Sequence, residues 1–158
     1  MLHIALYHPQ IPQNTGTLMR VSSCLGVKID LIRPFGFLFN DKKLKRAGMD
    51  YISTANYEIH DSFDLFLKKY DGKRLIALEA NDEHTPHYSF KYQDGDIIMV
   101  GSEHYGFLKA DFSRIPYCVK IPMLPERRSL NMAIATTIVL SEAMSQLGIF
   151  PQDKERSK

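Results

Sequence analysis

Short apolar runs alternate along the chain with stretches in which hydrophobic positions recur at helical spacing. Leu2–Tyr7 is a compact apolar run, the pattern of a strand covered on both faces in a parallel sheet. Asn14 is placed to cap a helix running to about Leu25, with Gly26 as its stop. Lys28–Ile32 reads as a second strand, and Asp41 as the cap of a short basic helix that ends near Gly48. Asp61 or Ser62 can cap a further helix, Phe63–Tyr70, which Asp71-Gly72 closes. Arg74–Ala80, Asp96–Val100 and Tyr117–Ile121 complete the predicted strands. The longest helix is Asn131–Leu147, ending at Gly148. It is apolar nearly all round (Met132, Ile134, Ile138, Val139, Leu140 and Met144), a distribution that requires burial in a core or at a subunit interface.

This alternation predicts a single α/β domain over residues 1–150, with a mostly parallel sheet of about five or six strands and flanking helices. Residues 151–158 read as a polar C-terminal tail. No internal repeat, linker or low-complexity tract interrupts the domain.

Composition narrows the function classes only slightly. Hydrophobic residues make up 44% of the chain and charged residues 24%, the mix of an ordinary folded domain, which removes disordered and fibrous classes. No apolar run approaches the roughly 18 residues of a bilayer span, and the start of the chain does not read as a signal peptide. No membrane is expected, and the cytoplasm is the expected location. Cys24 and Cys118 belong to no CxxC pair, and the six histidines show no HxH or HExxH spacing. His84 and His87 sit in a polar loop, so no metal is assigned. A net charge of +2 is too mild to demand a nucleic-acid partner. Local charge is stronger: Lys42, Lys43, Lys45 and Arg46 fall within five positions, and Arg127-Arg128 form a second pair. Taken alone, both read as solvated faces.

Three segments at predicted strand ends have the composition of a ligand site, and ligands of open α/β sheets bind there. The first runs from His8 to Gly16 (HPQIPQNTG) and leads to Arg20. It places amides and two prolines ahead of a helix N-terminus, where free N–H groups favour an anion. It lacks the glycines of a dinucleotide fingerprint, which disfavours a Rossmann-type nucleotide module. The second, Gly101-Ser102-Glu103-His104-Tyr105-Gly106, has glycines at both ends that permit close backbone approach. The third runs from Ile121 to Asn131. Pro122 and Pro125 force extended or turn backbone there, leaving main-chain groups free to read an adenine edge. Each segment also has a plainer reading: a helix cap, a strand-to-helix turn with a solvated acid, and a rigid connector.

In order and spacing, "LYHPQIPQNTGTLMR", "GSEHYG" and "IPM…RRSLNMAIA" resemble the three motifs of the SPOUT methyltransferases. The likeness is to the small single-domain TrmL/YibK-type group, which methylates the ribose of the wobble nucleotide in tRNA, and it covers Met1 to about Gly148. "DKKLKRAGMDY" and "YQDGD" also look familial.

The resemblance implies a knotted (trefoil) SPOUT fold and S-adenosyl-L-methionine as methyl donor, with S-adenosyl-L-homocysteine as product and no metal. It also implies a homodimer formed through the C-terminal knot helix, with tRNA as substrate. By family position the cofactor pocket involves Leu78, Gly101, Ile121, Met123, Ser129 and Leu130. Arg20, Asn14, Glu103 and Asn131 are the catalytic candidates: Arg20 at the reacting hydroxyl and its phosphate, the others holding loops and substrate. An arginine stays protonated, so Arg20 is expected to clamp a phosphate while another group accepts the proton. The resemblance also turns Lys42, Lys43, Lys45 and Arg46 into candidate RNA-phosphate contacts.

The chain departs from the family pattern in three places. Gly106-Phe107-Leu108 stands where Gly-Leu-Pro is usual, Ser141 precedes Glu142 where an aromatic is frequent, and Glu79 follows Leu78 in place of a small polar residue. Two other functions are compatible with the motifs: 2'-O-methylation of another tRNA or rRNA site, and a catalytically silent RNA-binding dimer.

Overall fold

The computed structural model describes residues 1–40 and 42–152. Asp41, the expected cap of the basic helix, lies outside the described residues, as does the expected tail from residue 153 onward. The elements in order are β1 (His3–Tyr7), α1 (Pro12–Leu25), β2 (Lys28–Ile32), α2 (Lys42–Gly48), a 3₁₀ turn (Met49–Ser53), β3 (Tyr57–His60) and α3 (Phe63–Lys69). Then follow β4 (Leu75–Leu78), β5 (Thr85–Pro86), β6 (Ile97–Val100), α4 (Lys109–Phe112), β7 (Tyr117–Lys120) and α5 (Met132–Leu147).

The sheet has seven strands in the order β3-β2-β1-β6-β4-β7-β5, and every pairing is parallel. The expected five or six strands fall short by β3 and β5. Strand β3 (YEIH) is a partly exposed edge with polar residues at half its positions, so it lacks the apolar run of a central strand. Strand β5 is only a Thr-Pro pair, and a proline reads against a strand.

Alternation along the central strands builds two cores. Ile4, Leu6, Ile29, Leu31, Ile76, Ile98 and Val100 pack with Leu18 and Met19 of α1 and with Val139, Leu140 and Met144 of α5. Ala5, Tyr7, Ile32, Ala77, Ile97 and Met99 point the other way, onto Phe63, Phe66 and Tyr70. Each such buried aliphatic side chain contributes about 1.5–3 kcal/mol, so a one-residue slip of register would be ruinous.

Two helix starts show opposite outcomes. Helix α1 begins at Pro12 with Ile11 in the cap position and no side-chain cap bond. Asn14 is therefore not the cap. Proline needs no donor partner at the first helical position, and Asn14 is drawn into contacts described below. Helix α5 starts where expected, and Asn131 is its cap, with a side chain that accepts from Ala133 N and Ile134 N. Ser62 caps α3, accepting from Leu65 N at 3.2 Å. Helix α5 buries Ala133, Val139, Leu140, Ala143 and Met144 but leaves Ile134 56% and Ile138 37% exposed.

Candidate functional site

The loops after β1, β6 and β7 meet above the carboxyl ends of the central strands and are tied together by side chains. Glu103, just beyond β6, accepts from Gln10 N at 2.8 Å, from Ile11 N at 3.2 Å and from Asn14 Nδ2 at 3.4 Å. Both its oxygens are thus spent on the loop after β1. Asn14 is buried, and its Oδ1 accepts from Asn131 Nδ2 at 3.0 Å. Asn131 turns its own Oδ1 to Ala133 N at 2.9 Å and Ile134 N at 3.2 Å. A chain of polar contacts, Glu103–Asn14–Asn131, therefore joins all three loops. The structure brings together three of the four catalytic candidates.

The β6 loop is closed on itself. Ser102 N donates to Gly106 O at 2.9 Å, and Gly106 N donates to Ser102 O at 2.8 Å. A Cβ on Gly101 would come 2.6 Å from Gly106 C, so only glycine fits this approach. Leu108 stands where the family pattern has a proline, and its neighbour Phe107 packs on Tyr7 and Phe112 with ring centroids 5.2 and 5.6 Å apart.

Between these loops lies a cavity of about 240 Å³. All six expected cofactor residues line it: Leu78, Gly101, Ile121, Met123, Ser129 and Leu130. Glu79 lines it too, as its place after Leu78 implies, and so do Gly106, Phe107, Met132 and Ala135, which the positional expectation did not include. Met132 and Ala135 carry the spacing of a helix face toward the cavity, which reads equally well as core. A second, more polar cavity of about 330 Å³ shares Ala80, Ile121 and Met123 with the first and reaches Lys120, Arg127 and Arg128. Apolar walls with a few polar groups at the rim suit a flat heteroaromatic ligand with a polar extension.

Arg20 stands apart from that cavity. It is exposed on α1, its Nη1 donates to Met49 Sδ at 3.1 Å, and its guanidinium carbon lies 5.4 Å from the Tyr51 ring centroid. The packing of α2 on α1 sets this arrangement. A Cβ on Gly16 would lie 2.6 Å from Leu44 O and 2.8 Å from Gly48 N, so glycine lets the two helices touch. Met49, with φ of +50°, then turns the chain back toward Arg20. Lys42, Lys43, Lys45 and Arg46 are all exposed on α2 while Leu44 is buried. The basic run thus occupies the outer face of α2, the helix packed on the α1 that carries Arg20. Met49 and Tyr51 were missed as partners of Arg20, although Tyr51 lies in the segment that resembles the family.

A further cluster flanks the β1 loop. His8 has φ of +49°, and its ring stacks on Tyr7 at 3.7 Å. Its Nδ1 shares a hydrogen bond of 2.8 Å with the Tyr105 hydroxyl. Burial lowers the His8 pKa against a smaller opposing pull from Asp111, favouring the neutral ring. Tyr7 donates its hydroxyl to Asp111, and burial together with that carboxylate keeps the phenol protonated.

Comparison with known proteins gives the family. Residues 1–141 match the SpoU rRNA Methylase family. A tRNA (cytidine(34)-2'-O)-methyltransferase of Escherichia coli K12 is 39% identical over 151 residues, covering 94% of this chain and 95% of that protein. A protein of the same description from Beijerinckia indica is 40% identical over 147 residues, covering 92% and 91%. A solved structure concerned with the 2-OH methylation of C/U34 on tRNA superposes with a TM-score of 0.88 at 41% identity, covering 94% of this chain and 97% of the other.

Proposed function

The chain belongs to the SpoU methylase family, and from that premise we propose that it transfers a methyl group from S-adenosylmethionine to the ribose 2'-hydroxyl of nucleotide 34, the wobble position, in tRNA. The observation that carries the reading is the cavity of about 240 Å³ whose lining includes every residue expected at the cofactor. Relatives that match across nine-tenths of both chains are described by this reaction.

The pocket suits that donor. Leu78, Val100, Ile121, Met132 and Ala135 provide apolar walls, and glycine at 101 lets the loop beside them close against Gly106. The sulfonium group, when bound, supplies an electrophilic methyl carbon. The protein's task is orientation, which is worth several kcal/mol when reacting atoms are held in line. Glu103, Asn14 and Asn131 hold the three loops in register and are positioning residues. Arg20, fixed by Met49 and Tyr51, clamps the phosphate beside the reacting ribose, and the basic face of α2 takes neighbouring phosphates.

The reading extends to the assembly and the threading of the chain. A second copy covers Leu130, Ile134 and Ile138, which are 41%, 56% and 37% exposed in the single chain. The C-terminal segment passes through a loop as a trefoil knot. In support, α5 returns from β7 to pack on α1 and β6, and Asn131 reaches Asn14. No described helix is long and apolar enough to cross a membrane, and the proposed site of action is the cytoplasm, where tRNA resides.

The test is incubation with labelled S-adenosylmethionine and undermodified total tRNA, followed by nucleoside mass spectrometry and mapping. A 2'-O-methylated pyrimidine at nucleotide 34 is expected. Label at a different nucleotide, or in rRNA, would overturn the site assignment, and absence of transfer to any RNA would overturn the activity.

A further inference from the structure

Glu79, the residue that departs from the family pattern, has two faces. It lines the cofactor cavity, with Oε1 3.8 Å from where a Cβ on Gly106 would stand. Its Oε2 lies 4.0 Å from His84 Nε2. Cys118, on β7, completes a group in which one carboxylate oxygen, one imidazole nitrogen and one sulfur all lie within 4.8 Å of one another. His84 Nε2 is shielded from solvent and has no hydrogen-bond partner, which costs free energy unless something fills the space. The loop that carries His84 is ordered by its own turn. His84 N donates to Asn81 O at 3.1 Å and Glu83 N to Asn81 Oδ1 at 3.0 Å, while Lys120 Nζ donates to Asp82 O at 2.7 Å.

We propose that Glu79, His84 and Cys118 bind a thiophilic divalent cation such as Zn²⁺, and that its occupancy draws the Glu79 carboxylate off the wall of the cofactor pocket. The donor set is one thiolate, one imidazole and one carboxylate, with a fourth position left to water, the composition of an open tetrahedral site. Ligands about 2.0–2.3 Å from a zinc ion stand roughly 3.3–3.8 Å apart, so a modest contraction of three side chains closes the site. When the sulfur–metal bond forms, the Cys118 thiol proton passes to solvent, and the imidazole lone pair that now lacks a partner gains one. Linear spacing carries little sign of the site because Glu79 and His84 share the β4–β5 connection while Cys118 comes from β7, more than thirty residues on.

The coupling rests on the pocket being the S-adenosylmethionine site. That donor carries a positive sulfonium, so an unengaged carboxylate at the wall favours it. Capture of the carboxylate by the cation weakens donor binding several-fold and affects the uncharged thioether of S-adenosylhomocysteine less.

The experiment is a titration of the untagged full chain with Co²⁺, without RNA or cofactor, followed by absorption spectroscopy. One equivalent is expected to bind, with a thiolate-to-metal charge-transfer band and intense tetrahedral d–d bands that Zn²⁺ then bleaches. Cys118→Ser should lose the charge-transfer band, and Glu79→Gln, which keeps the side-chain shape, should bind at least tenfold more weakly. Thermal melts of both variants confirm that they fold. No binding, or spectra unchanged in Cys118→Ser, would overturn the site whatever the protein's reaction proves to be. The affinities for donor and product are then measured with and without bound Zn²⁺, and equal values would overturn the coupling.

Discussion

Asn131 and Asn14 stand 117 positions apart in the chain, and the side chain of the first donates to the second at 3.0 Å. One asparagine thus caps the last helix with its oxygen and fastens the first loop with its nitrogen. The two duties are separable. Asn131→Ala loses both and is expected to lower stability by about 0.5–2 kcal/mol. Asn131→Ser keeps a good cap but cannot span the gap, so stability stays close to the parent while donor affinity falls several-fold. Denaturant unfolding beside calorimetric binding decides this, and equal affinity in Asn131→Ser would remove the loop-fastening role.

Gly101 is a point where any side chain collides with backbone. Gly101→Ala would push the Cβ to within 2.6 Å of Gly106 C, opening the Ser102–Gly106 bridge at a cost of about 1–3 kcal/mol. Loss of donor binding beyond the loss of stability is the expected signature, read by comparing melting temperature with and without S-adenosylmethionine.

Arg20→Ala is expected to leave donor affinity unchanged and to abolish transfer, because the arginine faces Met49 and Tyr51 rather than the cavity. Tyr51→Ala should reduce kcat in the same direction but less. A collapse of donor affinity in Arg20→Ala would put this residue in the pocket after all.

Much of this architecture is legible in the linear pattern. Strands β1, β2, β4, β6 and β7, the stop at Gly26 and the bounds of the last described helix follow from apolar runs and capping chemistry. Leu78, Gly101, Ile121, Met123, Ser129 and Leu130 of the pocket follow from the family resemblance. What escapes has a common cause: it depends on partners distant in sequence. Asn14 looks like a helix cap, and only the approach of Glu103 and Asn131 reveals its other use. Met49 and Tyr51 gain their meaning from Arg20, which the α1–α2 packing at Gly16 brings near. Strand β3 stays hidden because an edge strand lacks the uniform apolar run of its neighbours.

The fully buried Asp30 makes a prediction about acid stability. It accepts from His60 Nε2 at 2.8 Å and Tyr70 OH at 2.9 Å, contacts His3 Nδ1 at 3.2 Å, and lies 3.5 Å from Lys28 Nζ. Burial raises its pKa, but the hydrogen bonds from His3, His60 and Tyr70 and the charge of Lys28 outweigh it, so the net shift is downward. The stability it contributes is therefore complete above the unfolded value of about 3.9 and disappears as pH falls through the lower folded value. Asp30→Asn should cost about 3 kcal/mol at neutral pH. The gap between variant and parent should narrow below roughly pH 4. Urea unfolding across pH 3–7 tests it, and a gap independent of pH would rule out ionisation as the cause.

Neutralising Lys42, Lys43, Lys45 and Arg46 together should flatten the salt dependence of tRNA binding, by about 0.7–0.9 in the log–log slope for each phosphate that is no longer neutralised. Filter binding at several salt concentrations measures it, and an unaltered slope would return the face to plain solvation.

The cavity draws its walls from Leu78 onward to Ala135, and the third loop that shapes it is anchored by the final helix. During synthesis, then, a nascent chain that has not yet docked α5 holds only half a binding site. Ligand recognition therefore arises only once α5 has docked, and a protease that nicks the β7–α5 connection would remove it.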